Sequence, residues 1–318
     1  MNSYIIAEIG SNFNQSKKLA FKMIKAAKKI GANAIKFQLF NAKKMYPNDD
    51  KMYRLFKSIE LNPKWIKDLK NYSKKNKIDF LCSVFDLESA RLVNKHVKYH
   101  KVASSEATNY GLLEYLLKTK KKILFSTGMC DIKDVENFIK LAKKYKNKNI
   151  VLMQCGSMYP IPYNHVNLNV LKTYRKYKFQ LGFSDHTIGS EAAMCSRAIG
   201  AKYFEKHFTL NKKLKGPDHF FATEPSEFKD YIKKIKLVET LLGTSSKEML
   251  PDEKKFGRRE GIYCSRNIKK GTIIKKNFIY IKRPALGIRS RDIKNVIGKQ
   301  ITTNKKKNSP VFEFDLKN

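Results

Sequence analysis

Two of the six histidines stand at the ends of apolar runs, His186 in LGFSDHTIGS and His207 in KYFEKHFTL. Two lysines interrupt apolar runs of their own, Lys36 in AIKFQ and Lys101 in HKVAS. A pair of neutral imidazoles with carboxylates nearby suits a divalent cation, Mn²⁺ or a similar ion, with positions left open for water and substrate. The other use of such histidines is a hydrogen-bonded place in the core, and spacing leaves both uses open. A lysine inside an apolar strand is costly unless its ammonium is paired, either with an anionic ligand or with a carboxylate of the chain such as Glu8 or Glu106. Hydroxyls strengthen the anion reading. Ser126-Thr127-Gly128 ends an apolar run and leads into a helix capped near Asp131, where hydroxyls and backbone N–H groups can cradle phosphate or carboxylate. Gln38, Ser83, Ser104, Ser157, Ser184 and Glu205 occupy comparable places, whereas His96, His100, His165 and His219 show no such pairing.

The elements that must position these groups follow from periodicity. Eight strand-like runs (4–10, 33–40, 78–85, 99–104, 122–127, 149–155, 179–184 and 202–208) alternate with amphipathic helical patterns up to Gly243. Within 16–30, Leu19, Met23, Ala27 and Ile30 recur at helical spacing behind a serine N-cap, and within 228–242 Ile232, Ile235, Val238 and Leu242 do the same. Strict alternation predicts a parallel sheet, and eight units match an α/β fold closed as a (β/α)8 TIM barrel. An open doubly wound sheet would not need eight repeats. In a barrel, the polar residues at the strand ends converge on the C-terminal face, and the seventh and eighth strands place His186 beside His207. Residues 244–260 are polar and aperiodic and read as a linker, and 261–318 show short β-branched runs broken by Gly, Asn and Pro, a small β-rich domain.

Composition narrows the partners. With 318 residues, 42% of them hydrophobic, the chain can bury a full core. No run approaches the roughly 20 apolar residues of a membrane span, and the N-terminus lacks a leader pattern, so a cytoplasmic protein is expected. Five cysteines without a CxxC pair point to reduced thiols. The formal charge of +38 is carried by lysines scattered over helical faces, without an aromatic-interleaved recognition motif. This argues for solvated surfaces rather than nucleic-acid binding, although the charge would draw small anions toward a cleft.

Taken together, IIAEIGSNFNQ, AIKFQLF, KVASSE, FSTGM, YPIPYNHVNL, GFSDHTIG, FEKHFTL, GPDH, EPSEF, SRNIKKG and IKRPALG resemble the sialic acid synthase family along essentially the whole chain. The resemblance implies condensation of phosphoenolpyruvate with an N-acylated amino sugar, a barrel joined to an antifreeze-like (SAF) domain, and Mn²⁺ or Mg²⁺ as the metal. By position, it makes His186 and His207 the metal ligands. It assigns Lys36, Ser83, Lys101, Ser104, Ser126, Ser157 and Ser184 to phosphoenolpyruvate. Glu8, Gln38, Glu106, Tyr159 and Asp218 are expected at the sugar or the reacting centre, and Arg283 at the N-acyl group, reached from a partner subunit of a homodimer. The chain departs from the common pattern at Phe13, Gln15 and Gln154-Cys155-Gly156-Ser157, which is expected to alter the sugar pocket. Two competing readings are another phosphoenolpyruvate-condensing barrel, for which no second-phosphate arginine cluster is seen on the strand ends, and a non-catalytic polyanion binder.

Overall fold

The computed structural model describes residues 2–48, 50–255 and 257–317. Positions 1 and 318, the outer bounds of the expected domains, and position 256 of the expected linker lie outside the described residues. The chain divides into two compact units, Met1–Gly243 and Thr244–Asn318.

In the first unit, β1 (Tyr4–Glu8), β2 (Ala34–Leu39), β3 (Asp79–Val84), β4 (Tyr99–Val102), β5 (Lys122–Ser126), β6 (Ile150–Cys155), β7 (Gln180–Asp185) and β8 (Tyr203–His207) form a closed parallel barrel in sequence order. Pairing of β1 with β8, from Tyr4 opposite Tyr203 to Glu8 opposite His207, closes it. Helices between the strands pack their apolar stripes on its outside. Lys17–Lys29 is capped by the Ser16 side chain and buries Ala20, Met23, Ile24 and Ala27. Pro225–Leu242 starts three residues before the predicted helix, because Pro225 suits a first turn and Glu224 with Glu227 forms a capping box there.

Period-two alternation divides the barrel interior into layers. Ile6, Ala34, Leu81, Leu124, Val151, Met153 and Tyr203 make a buried apolar layer. Two residues further along most of these strands, toward the C-terminal ends, come Glu8, Lys36, Ser83, Ser126, Cys155 and Glu205, all buried and mostly polar. Below, Tyr4, Tyr99 and Tyr203 meet ring to ring, and the Lys122 ammonium lies 4.9 Å from the Tyr203 ring centroid. Gly182 is required within this packing: a Cβ there would stand 2.8 Å from Met153 Cγ and 2.9 Å from the Tyr203 carbonyl oxygen.

The second unit has its own small core around Ile262, Cys264, Ile274, Val296, Ile301 and Val311. Its regular sheet is one antiparallel pair, β9 (Gly261–Cys264) with β10 (Ile279–Lys282), supplemented by isolated bridges. The stretch read as a linker contains a short helix, Pro251–Lys255. Buried Asp315 ties the unit's C-terminal end together, accepting from Lys305 Nζ at 2.6 Å, Thr303 Oγ1 at 2.9 Å and the Phe312 N–H at 2.8 Å.

Candidate active site

At the C-terminal end of the barrel, four buried charges form one network. Lys36 Nζ stands 2.7 Å from Glu8 Oε2 and 3.7 Å from Glu205 Oε2, and donates to Ser83 Oγ at 2.6 Å. Lys101 Nζ is 3.5 Å from Glu205 Oε1 and donates to the Val102 carbonyl at 3.1 Å. Glu205 also accepts from Ser184 Oγ at 3.2 Å, and Glu8 from Gln38 Nε2 at 2.7 Å and the Gly10 N–H at 3.1 Å. Both expected lysines therefore find carboxylates, but only Lys36 finds one of those named from sequence. The partner of Lys101 is Glu205; Glu106 turns instead to Asn109 Nδ2 at 3.0 Å, because Ser104–Glu106 winds into a 3-10 turn beyond the strand.

The two lysines differ electrostatically. Burial works against the charge of Lys36, yet Glu205 and Glu8 raise its pKa above the usual lysine value. For Lys101 burial dominates and lowers the pKa despite Glu205, which marks it as the less compensated cation. Burial would raise the Glu205 pKa, but Lys101 and Lys36 override it and bring the group to about 2. Glu8 is raised, chiefly by burial, with Lys36 opposing and Glu205 adding.

Beside Lys101 lies a cradle of hydroxyls. Ser126 Oγ and Ser157 Oγ are buried without a hydrogen-bond partner, an arrangement that costs free energy unless a ligand supplies acceptors. Ser104 Oγ has only the Cys155 sulfur, at 3.6 Å, in this region. A Cβ on Gly128 would overlap the hydroxyls of Ser157 and Ser104, so the absence of a side chain keeps the cradle open. Thr127 is used structurally, its Oγ1 donating to the Met153 carbonyl at 3.0 Å and accepting from Tyr174. Gly128→Ala is therefore expected to leave the melting temperature nearly unchanged and to weaken small-anion binding at least tenfold, measured by calorimetry with phosphoenolpyruvate. Unaltered affinity would remove the cradle from the site.

His186 and His207 come together as predicted from strand order, with ring centroids 5.6 Å apart. The Gly156 carbonyl lies 2.6 Å from His186 Nδ1, so that nitrogen carries the proton and Nε2 presents a lone pair. Burial lowers the His186 pKa, but Cys155, 3.7 Å from Nδ1, and the Gly156 carbonyl together raise it. His207 is pushed to about 3, first by burial, and its Nδ1 is buried without a partner. Among the described residues no group of three or more His, Cys, Asp or Glu is arranged to hold a metal. The donor set fits a divalent ion that takes two imidazole nitrogens from the protein and completes its shell with oxygens from substrate and water. Tyr159 covers both rings, at 4.2 Å from His186 and 5.6 Å from His207, and Phe221 packs on His207 at 4.9 Å.

Asp218 closes the rim. Its Oδ2 accepts from the Ser11 N–H at 2.9 Å and from Ser11 Oγ at 2.8 Å, and sits 2.6 Å from where a Cβ of Gly10 (φ +55°) would be. Fully buried His219, which showed no pairing in the sequence, links the same two loops: Thr209 Oγ1 lies 2.7 Å from its Nδ1 and Asn14 Oδ1 2.9 Å from its Nε2. No short-range pattern announces this clasp, because its partners are about 200 residues apart. Arg283 belongs to the second unit, where its Nη2 is 3.6 Å from Glu260 Oε1.

Of the departures expected to reshape the sugar pocket, Cys155, Gly156 and Ser157 stand at the site, whereas Phe13 and Gln154 pack away from it. Phe13 is buried against Phe37 and Trp65 in the strand–helix layer, since Phe37 is an outward position of β2. Gln154 donates to the Val166 carbonyl at 3.0 Å. Gly156 does touch the site, through the carbonyl that orients His186.

Comparison with known proteins places this geometry. The chain is 38% identical over 318 residues to an uncharacterised protein of Methanocaldococcus jannaschii, covering 99% of this chain and 94% of that one. It is 36% identical over 329 residues to the N,N'-diacetyllegionaminic acid synthase of Campylobacter jejuni, covering 97% and 98%. The crystal structure of N-acetylneuraminic acid (sialic acid) synthetase from Leptospira borgpetersenii, in complex with citrate, superposes with a TM-score of 0.77 at 31% identity, covering 80% of this chain and 90% of that one. Residues 23–247, which include seven of the eight strands and both imidazoles, match the NeuB family, and the chain belongs to that family.

Proposed function

We propose that the protein condenses phosphoenolpyruvate with the aldehyde of an N-acylated amino sugar to give a nonulosonic acid and inorganic phosphate. Among nonulosonic acids the legionaminic class is favoured, because the Campylobacter relative named for that activity aligns over nearly the full length of both chains. The observation that carries the reading is the hydroxyl cradle beside Lys101, built on neighbouring strands to two imidazoles and a buried carboxylate.

In this reading Lys101, with Ser104, Ser126 and Ser157, binds the anionic groups of phosphoenolpyruvate, while Lys36, steadied by Ser83, and Ser184 hold the carboxylates Glu8 and Glu205 that face it. A divalent cation, Mn²⁺ or Mg²⁺, held by His186 and His207, would supply Lewis acidity to the sugar aldehyde. C3 of phosphoenolpyruvate forms the new bond to the aldehyde carbon, and positive charge develops at C2. Glu8, oriented by Gln38 and the Gly10 N–H, faces that charge and directs the water that adds to C2. The C2–O bond to phosphate then breaks. A fixed carboxylate where cationic charge develops contributes without reorganisation during the reaction. Tyr159 and Asp218 border the sugar, and Arg283, supplied by the second unit of a partner copy, is assigned to the N-acyl group.

The test is phosphate release from phosphoenolpyruvate over a panel of sugars including N-acetylmannosamine and 2,4-diacetamido-6-deoxy sugars, with Mn²⁺ added. Release that depends on an N-acylated sugar, with Arg283→Ala raising the sugar KM, is the expected result. Release without sugar dependence, or none with any sugar, rejects the proposal.

A further inference from the structure

Behind the two imidazoles, on the outer side of the barrel wall, lies a buried ion pair that has no part in the chemistry above. Lys206 Nζ is 3.1 Å from Asp185 Oδ2, and both residues are at most 4% exposed. By alternation they face away from Ser184 and Glu205, into the apolar layer of Leu181, Phe183, Phe204 and Phe208 that packs against the helix Pro225–Leu242. Tyr231 of that helix lies over the ammonium, its ring centroid 5.2 Å away.

The place of this pair in the sheet gives it a consequence. Asp185 opposite Lys206 is the last pair in the register of β7 with β8, and the next residues on the two strands are His186 and His207. Where backbone pairing stops, side chains continue the connection. Asp185 Oδ1 accepts from the Thr187 N–H at 2.9 Å and from Thr187 Oγ1 at 2.7 Å, and Lys206 Nζ donates to the Thr187 carbonyl at 2.7 Å. The residues on both sides of His186 are thereby tied to the residue that precedes His207.

Stability does not account for the charges. An apolar pair of similar volume at such a site is often as stable or more so, because the attraction between two buried charges only partly offsets their desolvation. Apolar packing, however, tolerates several arrangements of the same groups, whereas an ion pair with directed hydrogen bonds selects one. We infer that Asp185 and Lys206 are positioning residues that fix the spacing of His186 and His207 for a shared divalent cation. The inference rests on the reading of these imidazoles as cation ligands.

Mn²⁺ binding to the full chain, followed by calorimetry and by the paramagnetic resonance of the free ion, tests it without turnover. Wild type is compared with His207→Phe and with the paired variant Asp185→Asn, Lys206→Met, which removes both charges together and leaves an oxygen to accept from Thr187. Compared free of metal, the paired variant is expected to melt close to wild type and to bind phosphoenolpyruvate equally well. Its Mn²⁺ affinity should fall by about tenfold or more, as when groups that orient metal ligands are removed. The loss is selective because Ser104, Ser126 and Ser157 of the anion cradle stand on or beyond β4, β5 and β6. If the paired variant does not fold, Asp185→Asn alone, which keeps the acceptor for Thr187, is expected to show the same selective loss in smaller measure. Wild-type Mn²⁺ affinity in these variants, or parallel loss of Mn²⁺ and phosphoenolpyruvate binding, overturns the inference and leaves the cation reading standing. Mn²⁺ binding that is unaffected by His207→Phe rejects that reading, and the inference falls with it.

Discussion

His207→Phe is expected to give a protein that is nearly inactive and, when both are compared free of metal, more stable than wild type. The wild-type ring is buried between Tyr159 and Phe221, and its Nδ1 has no hydrogen-bond partner among the described residues. A buried polar atom left unsatisfied costs about 1–3 kcal/mol, and phenylalanine fills a similar volume without it. Each kcal/mol recovered raises the melting temperature of a unit this size by about 2–4 °C. Under the proposed function, the same change removes one of two nitrogens that hold the cation, with a loss on the order of 10²–10³-fold in kcat, the range seen when one preorganised electrostatic group is deleted. Chelation of the wild type should produce a comparable loss that added Mn²⁺ reverses, with no effect on His207→Phe. Thermal unfolding and phosphate release measure the two halves separately. Wild-type turnover in the phenylalanine variant would reject the histidine's role, whatever its stability.

The second large effect is at Lys101. Lys101→Met keeps most of the side-chain volume but leaves Glu205 with only the more distant Lys36, 3.7 Å away, and Ser184. Removing one partner of a buried ion pair typically costs about 3–5 kcal/mol, so the single variant should lose stability. Its affinity for phosphoenolpyruvate should also fall by about 2 kcal/mol or more, roughly thirtyfold. Adding Glu205→Gln removes the orphaned charge. The double variant should therefore regain much of the stability without regaining the affinity. Stability and affinity that recover together would mean that Lys101 serves only to neutralise Glu205, and calorimetry with phosphoenolpyruvate decides between these outcomes.

The barrel was legible because its signals are local and repeated. Apolar runs alternating with helical stripes require a parallel sheet, and eight of them in order close it, so Lys36, Lys101, His186 and His207 could be assigned to one face before any contact was known. Lys101 could not be given its partner in this way. Glu205 lies on the other side of the barrel, four strands from β4 around the ring, and its approach to Lys101 depends on side chains crossing the interior.

Composition and periodicity thus determined the architecture, the face on which chemistry sits and most of the residue types on it. Tertiary structure alone decided which groups are compensated. Whether Ser126 and Ser157 are satisfied, which nitrogen of His186 carries a proton and why Gly128 has no side chain all depend on atoms from distant strands. Arg258, Arg259, Arg283, Arg289 and Arg291 are spread over 34 positions of sequence, and only the pairing of β9 with its two neighbours brings them to the wall of one pocket. Period-two and period-3.6 patterns encode which way a side chain points, but hydrogen bonding and charge pairing act over about 3 Å between groups whose sequence separation those patterns do not constrain.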